Sequence, residues 1–211
     1  MILNAWKRRY TVREFDWKHI PDREKIDYIG SIVKYVPLIE GKIDHIWFEL
    51  GPDDADIKEW LVQNIFVRFS NNRGIKEHML PILNAPFVFL AYSYDTGDPF
   101  RKNRITANTC FHAGALLSEG LRLGLDVSQI GCNQGISLKW NENAETDLNT
   151  CRQLFKDRFK DHDFNLDKLI TPELAMCFGK GLPPKPGYQR YKDMLWNTSK
   201  KHGKKQSNMV R

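Results

Sequence analysis

The sequence lacks several features that would place it in a specialised class of protein. Its longest nearly unbroken apolar run, residues 85–92, has eight residues, and eight residues cannot cross a bilayer. The N-terminus has no apolar stretch of signal-peptide length, so the cytoplasm is the expected compartment. Four of the 211 residues are cysteines, spaced by 19 residues or more, which makes neither a CxxC pair nor a zinc pattern. These absences argue against a membrane span and a disulfide scaffold.

Most of the chain also lacks an excess of either charge. The 32 lysines and arginines exceed the 26 acidic residues by six, but residues 200–211 alone hold five basic residues and no acidic one. The rest of the chain therefore carries 27 basic and 26 acidic residues. We interpret residues 196–211 as a basic, flexible tail that follows a single domain over residues 1–195. A nucleic-acid-associated protein that uses this tail is the least favoured function.

Apolar spacing predicts that helices and strands alternate along the chain. In the first half it indicates a helix between Pro21 and Pro37, a strand over residues 45–50, a helix over residues 53–69 and a central strand over residues 86–92. In the second half it indicates a long helix over residues 103–123, a short strand or loop over residues 127–132, a helix over residues 143–161 and a strand over residues 174–178. We therefore expect one α/β or α+β domain.

The predicted long helix is rich in small residues. Ala113, Ala115, Ser118 and Gly120 lie between its apolar positions, which leaves little side-chain bulk on its surface. Such a surface allows close approach of another helix or of a partner subunit. The pattern alone does not choose between these two.

Residues 7–13 (KRRYTVR) place four cations and a hydroxyl within seven residues. If this segment is extended, alternation points Arg9, Thr11 and Arg13 to one side of the chain. Two guanidinium groups and a hydroxyl would then converge, and these donors suit the oxygens of a phosphate. The alternative is a solvated basic edge, which composition alone favours.

Several short motifs occur in an order that is similar to one known family. Residues 8–15 (RRYTVREF) are close to the pattern R-R-S-x-R-x-F and precede Ile20-Pro21. Further on, Ala85-Pro86 precedes the buried strand, and Gly124-Leu125 ends the small-residue helix. In this order they resemble the nitroreductase-like, FMN-dependent oxidoreductase family. The resemblance implies an α+β fold with a mostly antiparallel central sheet flanked by helices, and a homodimer with FMN at the subunit interface.

The same resemblance implies which residues bind the cofactor. The N-terminal motif and cations after the Gly-Lys-Gly motif at residues 179–181 would hold the phosphate, and the segment after Gly124-Leu125 would line the flavin. The implied FMN-binding residues are Arg8, Arg9, Tyr10, Thr11, Arg13, Gln129, Ile130, Gly131, Lys185 and Arg190. The implied reaction resembles a ping-pong cycle from NAD(P)H, through FMN, to a small nitroaromatic-like or quinone-like acceptor. No catalytic side chain and no metal is implied.

One loop departs from the family pattern. The family has Pro-Ser and then Asn and Gln before a Trp, whereas residues 37–47 read PLIEGKIDHIW. Polar residues that touch the flavin in the family are missing from this loop. The alternative function is therefore a flavin-binding protein of the same fold with little reductase activity.

Four further features are not interpreted as functional. His112 is interpreted as a polar position on a packed helix, and Cys132 as structural filler. The pair Asp44-His45 has no Ser or Cys nucleophile with an associated motif, so we reject a hydrolase. The glycines at residues 131–135 and 179–181 match neither GxGxxG nor a P-loop, and they are interpreted as turns.

Overall fold

The computed structural model describes residues 12–62, 81–99, 101–131 and 144–183. The chain divides into two compact units, Met1–Gly181 and Leu182–Arg211, and all described residues except 182 and 183 belong to the first. The predicted boundary at residue 195 lies outside the described residues and stays a prediction. Within those residues, no helix combines the length and apolar character needed to span a membrane.

Four antiparallel strands form one sheet in the described part of the chain. They are β1 (His45–Leu50), β2 (Phe87–Tyr94), β3 (Asp126–Gly131) and β4 (Leu169–Gly179), in the order β1-β2-β4-β3. The first seven residues of β2 are buried on both faces of the sheet, as predicted for its apolar run. In β1, Ile46, Phe48 and Leu50 are buried on one face, which confirms the predicted alternation.

Helices cover both faces of this sheet. They are α1 (Arg23–Ile32), α2 (Ala55–Trp60), α3 (Arg101–Arg122) and α4 (Ala144–Arg158). Apolar residues of α1 and α3 share a buried cluster with Phe89, Met176 and Phe178 of the sheet. Apolar residues of α2 and α4 share another cluster with the opposite face, where Phe48 lies 5.0 Å from Phe155 between ring centroids. The result is an α+β architecture in three layers.

The small residues of α3 have two different environments. A Cβ at Gly120 would lie 2.7 Å from Phe178 Cε1 and 2.9 Å from Val127 Cγ2, so this glycine lets α3 approach the sheet. A Cβ at Gly114 would meet no described atom within 4 Å. Helix α3 ends at Arg122, and Gly124 closes the turn after it, as predicted; its φ of +79° is a left-handed conformation that favours glycine.

The largest errors in the predicted boundaries, of four and five residues, are at α1 and β4. Helix α1 ends at Ile32 and not at Val36, because turns in which Lys34 and Tyr35 donate to Ser31 and Ile32 replace the last helical turn. Strand β4 begins at Leu169, five residues before the predicted start. Its first half contains Thr171 and Pro172, where the register against β2 shifts, and this irregular stretch hides the strand in the sequence. Of the predicted helix over residues 53–69, the described part contains α2 (Ala55–Trp60), and residues 63–69 lie outside the described residues.

Candidate functional site

Two segments that are far apart in the sequence meet at one end of the sheet. Phe15 forms an isolated antiparallel bridge with Gly181. The amide of Asp16 donates to the carbonyl oxygen of Lys180 over 2.8 Å, and the amide of Gly181 donates to Asp126 Oδ2 over 2.8 Å. These contacts join the N-terminal motif, the Gly-Lys-Gly motif and the start of β3. We call this region the Phe15–Gly181 junction.

Gly179 is required by packing at this junction. A Cβ at Gly179 would lie 2.7 Å from Pro86 Cδ and 3.0 Å from Phe15 Cδ1, closer than well-packed side chains come. Phe15 is almost completely buried, as is Val12. The absent side chain lets the N-terminal segment pack directly against β4. The glycine motif is thus part of a sheet-end contact, whereas the sequence interpretation was a turn.

One cation of the N-terminal motif, Arg13, lies at the junction within the described residues. Arg13 is partly exposed and lies between the buried residues Val12 and Phe15. The sequence reasoning overlooked Lys180, an exposed cation inside the Gly-Lys-Gly motif that belongs to the same junction. Six of the predicted phosphate-binding residues lie outside the described residues, and their role stays a prediction: Arg8, Arg9, Tyr10, Thr11, Lys185 and Arg190.

The predicted flavin-lining residues lie at the other end of β3. Gln129 and Gly131 are exposed, whereas the side chain of Ile130 is buried in the core on the opposite face. In the described residues no strand pairs with the outer side of β3, so this edge directs backbone polar groups away from the sheet. Gln129 and Gly131 are therefore the residues of this segment that are exposed to a ligand, whereas the side chain of Ile130 is not.

The structure does not bring the junction and the Gly131 end together. At a strand rise of about 3.3 Å, the five steps from Asp126 to Gly131 span roughly 16 Å. One end offers cations, and the other offers an amide side chain and a glycine. This donor set suits an elongated ligand with an anionic end and a neutral polar end, and FMN has that chemistry.

A second group of polar residues is buried between β1 and α3. His45 Nε2 lies 2.7 Å from His112 Nδ1, and Trp47 Nε1 donates to the same His112 Nδ1 over 3.2 Å. On its other side, His112 Nε2 faces the carbonyl oxygen of Val36 at 3.5 Å. His112 is therefore more than a polar position on a packed helix, because it joins three segments of the chain.

Burial keeps both imidazoles neutral at neutral pH. Burial and then the neighbouring His112 lower the pKa of His45 to about 4, while Asp44 opposes this change. Burial also lowers the pKa of His112, against the opposing hydrogen bond to Val36. Each ring is more stable without its second proton.

Asp44 has a partner other than His45. Its carboxylate is fully buried and accepts from Arg104 Nε over 2.9 Å and from Arg104 Nη2 over 3.2 Å. The same guanidinium donates to Glu40 over 3.0 Å and to Asp98 over 2.9 Å. The adjacent residues Asp44 and His45 therefore form no charge relay.

Sequence reasoning missed this polar group, although α3 carries a signal for it. Arg104, Asn108 and His112 follow each other at intervals of four, which places them on one face of the helix. All three are buried, and Asn108 Oδ1 accepts from the amide of Ile39 over 2.8 Å. When polar residues repeat along one face of a helix whose other residues are mostly apolar and small, they indicate buried hydrogen-bond partners on neighbouring segments.

The described cysteines offer no reactive thiol in the core. Burial raises the pKa of Cys151 to about 12 and raises that of Cys177 as well. A thiol needs a lowered pKa and exposure to act as a nucleophile. Cys132, the cysteine beside the predicted flavin segment, lies outside the described residues.

Comparison with known proteins identifies the fold. No family model and no curated protein matches the chain. Among solved structures, a nitroreductase with bound FMN from Desulfitobacterium hafniense DCB-2 has a TM-score of 0.59 at 11% identity, over 88% of this chain and 91% of that chain. An FMN-dependent nitroreductase from Clostridium difficile R20291 has a TM-score of 0.57 at 16% identity, over 87% and 89%.

A third solved structure, from Staphylococcus epidermidis ATCC 12228, is assigned as an NAD(P)H:FMN oxidoreductase. Its TM-score is 0.57 at 14% identity, over 87% of this chain and 88% of that chain. Similarity at such low identity establishes the architecture and leaves the activity to be argued from the site. The predicted α+β fold with a mostly antiparallel sheet is confirmed: the chain has the nitroreductase fold.

Proposed function

We propose that the protein is an FMN-dependent oxidoreductase that passes reducing equivalents from NAD(P)H to a small nitroaromatic-like or quinone-like acceptor. The observation that carries the proposal is the Phe15–Gly181 junction. It joins the N-terminal motif, which the resemblance assigns to the phosphate, to the Gly-Lys-Gly motif, which precedes the other cations assigned to it. The similar structures named above support FMN as the cofactor and a nicotinamide nucleotide as the reductant.

In this proposal the junction holds the phosphate. Arg13 and Lys180 supply positive charge there, and planar guanidinium donors match phosphate oxygens in pairs. The remaining donors come from residues outside the described part of the chain: Arg8, Arg9, Tyr10, Thr11, Lys185 and Arg190. Burial of Phe15 and Val12 fixes the backbone on both sides of Arg13, so its guanidinium starts from a rigid support.

The exposed residues at the Gly131 end of β3 line the ring. Gln129 offers an amide side chain, and Gly131 allows close approach because it has no side chain. Ile130 lies between them, with its side chain in the core. When bound, FMN supplies the hydride and electron chemistry, and the protein supplies orientation and electrostatics.

A homodimer is part of the proposal. Phe111 is 56% exposed on α3, and Tyr35, between α1 and β1, is 81% exposed. A second copy that covers these residues would fit the homodimer that the resemblance implies. Analytical ultracentrifugation tests this part directly.

The phosphate assignment is tested by the double substitution Arg9→Ala with Arg13→Ala. Two lost charge-assisted contacts should raise the Kd for FMN at least about 100-fold. The matched control is Arg122→Ala, which removes a surface arginine of α3 that pairs with Glu119. Unchanged FMN occupancy in the double variant would remove the phosphate assignment.

A second candidate function is flavin binding with little reductase activity. The observation that favours it is the loop before β1, where Glu40 and Asp44 are committed to Arg104 and not to a ligand. Anaerobic mixing of the FMN-loaded protein with NADH or NADPH separates the two functions. Bleaching of the flavin band supports the oxidoreductase, and an unchanged band supports the second candidate.

A further inference from the structure

One peptide group at the Phe15–Gly181 junction is hydrogen-bonded through both of its polar atoms. Its carbonyl oxygen, that of Lys180, accepts from the amide of Asp16 over 2.8 Å. Its N–H group, that of Gly181, donates to Asp126 Oδ2 over 2.8 Å. The C=O and N–H groups of a trans peptide point in opposite directions within one plane. The N-terminal segment therefore holds one side of this peptide plane, and β3 holds the other.

The glycines around this peptide group would otherwise give it freedom to turn. Lys180 lies between two glycines, and a glycine backbone reaches conformations that other residues avoid. Gly179 is covered by Pro86 and Phe15, which lie so close that a Cβ would collide with them. In the described structure, the amide of Gly181 has the carboxylate of Asp126 as its hydrogen-bond partner.

The hydrogen bond from Asp16 alone would not fix the peptide plane. A plane held at its carbonyl oxygen can tilt about that one contact through changes in ψ of Lys180 and φ of Gly181. Glycine allows the second of these changes almost freely. The side chain of Lys180 is attached at the Cα next to this peptide group, so a tilt of the plane moves its ammonium group as well.

Lys180 has a side chain that is available to a ligand. It is exposed, and it makes no hydrogen bond or ion pair with the part of the chain that the structure describes. A lysine ammonium group is a point charge with three donors, and phosphate oxygens are among its usual partners. Lys180 gains most as a phosphate ligand if its backbone is fixed before the ligand binds.

Asp126 is an acidic residue beside a region that is proposed to bind an anion. A carboxylate and a phosphate repel each other, so the negative charge of Asp126 opposes phosphate binding. Its favourable contribution is the hydrogen bond that it accepts from Gly181. These two contributions can be separated by experiment, because asparagine keeps an acceptor oxygen and has no charge.

We propose that Asp126 is a positioning residue for the FMN phosphate, which holds the Lys180–Gly181 peptide group so that the ammonium group of Lys180 contacts the phosphate. Asp126 begins β3, and Gln129 and Gly131 of the same strand are proposed to line the ring. One strand therefore sets the distance between the two ends of the cofactor site. This role rests on the proposed function, because it requires that the junction binds the phosphate.

The test compares FMN with riboflavin, which has the same ring and no phosphate. The Kd of the full chain for each flavin is measured by flavin fluorescence, and the ratio of the two Kd values gives the preference for FMN. Asp126→Ala should lower this preference at least about fivefold, because Lys180 loses its fixed backbone, and should change the Kd for riboflavin less than about twofold. Asp126→Asn should keep or exceed the wild-type preference, since only the opposing charge is removed.

A second variant tests whether Asp126 acts through Lys180. Lys180→Met should lower the preference for FMN, and adding Asp126→Ala to it should not lower the preference further, because no ammonium group remains to be positioned. The matched control is Asp95→Ala. Asp95 also accepts from a glycine amide, that of Gly97 over 3.0 Å, but it follows β2 beside the start of β4. This control should keep the wild-type preference.

The outcomes distinguish this inference from the proposed function. The inference alone is overturned if the wild type prefers FMN and Asp126→Ala keeps that preference, if Asp126→Asn loses as much as Asp126→Ala, or if the losses from Asp126→Ala and Lys180→Met multiply. A wild type that binds both flavins equally overturns the phosphate assignment together with the inference, and flavin binding stands. A wild type that binds neither flavin contradicts the proposed function itself.

A failure of Asp126→Ala to fold would not remove the test. Lys180→Met then decides, because an unchanged preference for FMN would leave Asp126 with no phosphate ligand to position and would overturn the inference. A lowered preference in Lys180→Met, with the wild-type preference kept in Asp126→Asn, would support it.

Discussion

Lys58 is a lysine whose ammonium group lies in the interior of the protein. Its Nζ donates to the carbonyl oxygens of Ala85 and Pro86 over 3.0 Å each, directly before β2. Burial lowers its pKa to about 8, against smaller contributions from Cys177 and Asp54 that raise it. The side chain satisfies two carbonyl groups that would otherwise be buried without partners.

The substitution Lys58→Met tests this account through the pH dependence of stability. The unfolded state has the higher lysine pKa, near 10.5, so it binds more protons between pH 8 and pH 10, and stability must rise with pH there. Measured by urea unfolding, the wild type should gain about 2 kcal/mol relative to Lys58→Met from pH 8 to pH 10. An equal pH response in both proteins would contradict a buried, destabilised ammonium group.

Individual partners were the least predictable part of the site. Asp44 and His45 are neighbours in the sequence, yet they contact different residues of α3. Asp44 accepts from Arg104, and His45 contacts His112 two helical turns further on. In the sequence, Arg104 and His112 are related only by the interval of four along α3. That interval does not predict which acidic or imidazole side chain each of them contacts.

At the scale of elements, apolar periodicity was a reliable guide where the pattern is regular. The bounds of β1 follow directly from its alternation, and β2 follows from its continuous apolar run. The start of β4 and the end of α1 were wrong, because a proline with a register shift and two successive turns replace the regular pattern. Local hydrogen bonds of this kind leave little trace in apolar spacing.

The two environments of the small residues on α3 give a prediction with an internal control. Gly120→Ala should destabilise the protein by about 1–3 kcal/mol, because its Cβ would collide with Phe178 and Val127. Gly114→Ala on the same helix should stabilise it by about 0.5–1 kcal/mol, because alanine favours the helix and meets no described atom.

Thermal unfolding monitored by circular dichroism gives both values. If Gly114→Ala is as destabilising as Gly120→Ala, the exposed side of α3 packs against something, such as a second subunit. A concentration-dependent midpoint would then identify that contact as intermolecular.

At the scale of the whole molecule, the order of the motifs along the chain predicted the fold. The contacts between those motifs could not be predicted from the sequence. No periodicity in the sequence says that Phe15 meets Gly181, more than 160 residues away. The junction forms because β4 ends beside β3 and Gly179 leaves space for the N-terminal segment. These conditions depend on topology, which apolar spacing does not encode.

The central claim is that this fold binds FMN along β3, between the Phe15–Gly181 junction and Gly131. The most direct measurement is an absorbance scan of the gently purified protein from about 300 to 550 nm, followed by heat release and identification of the chromophore. The account predicts released FMN at about one per chain. A colourless protein that also fails to take up added FMN would contradict it.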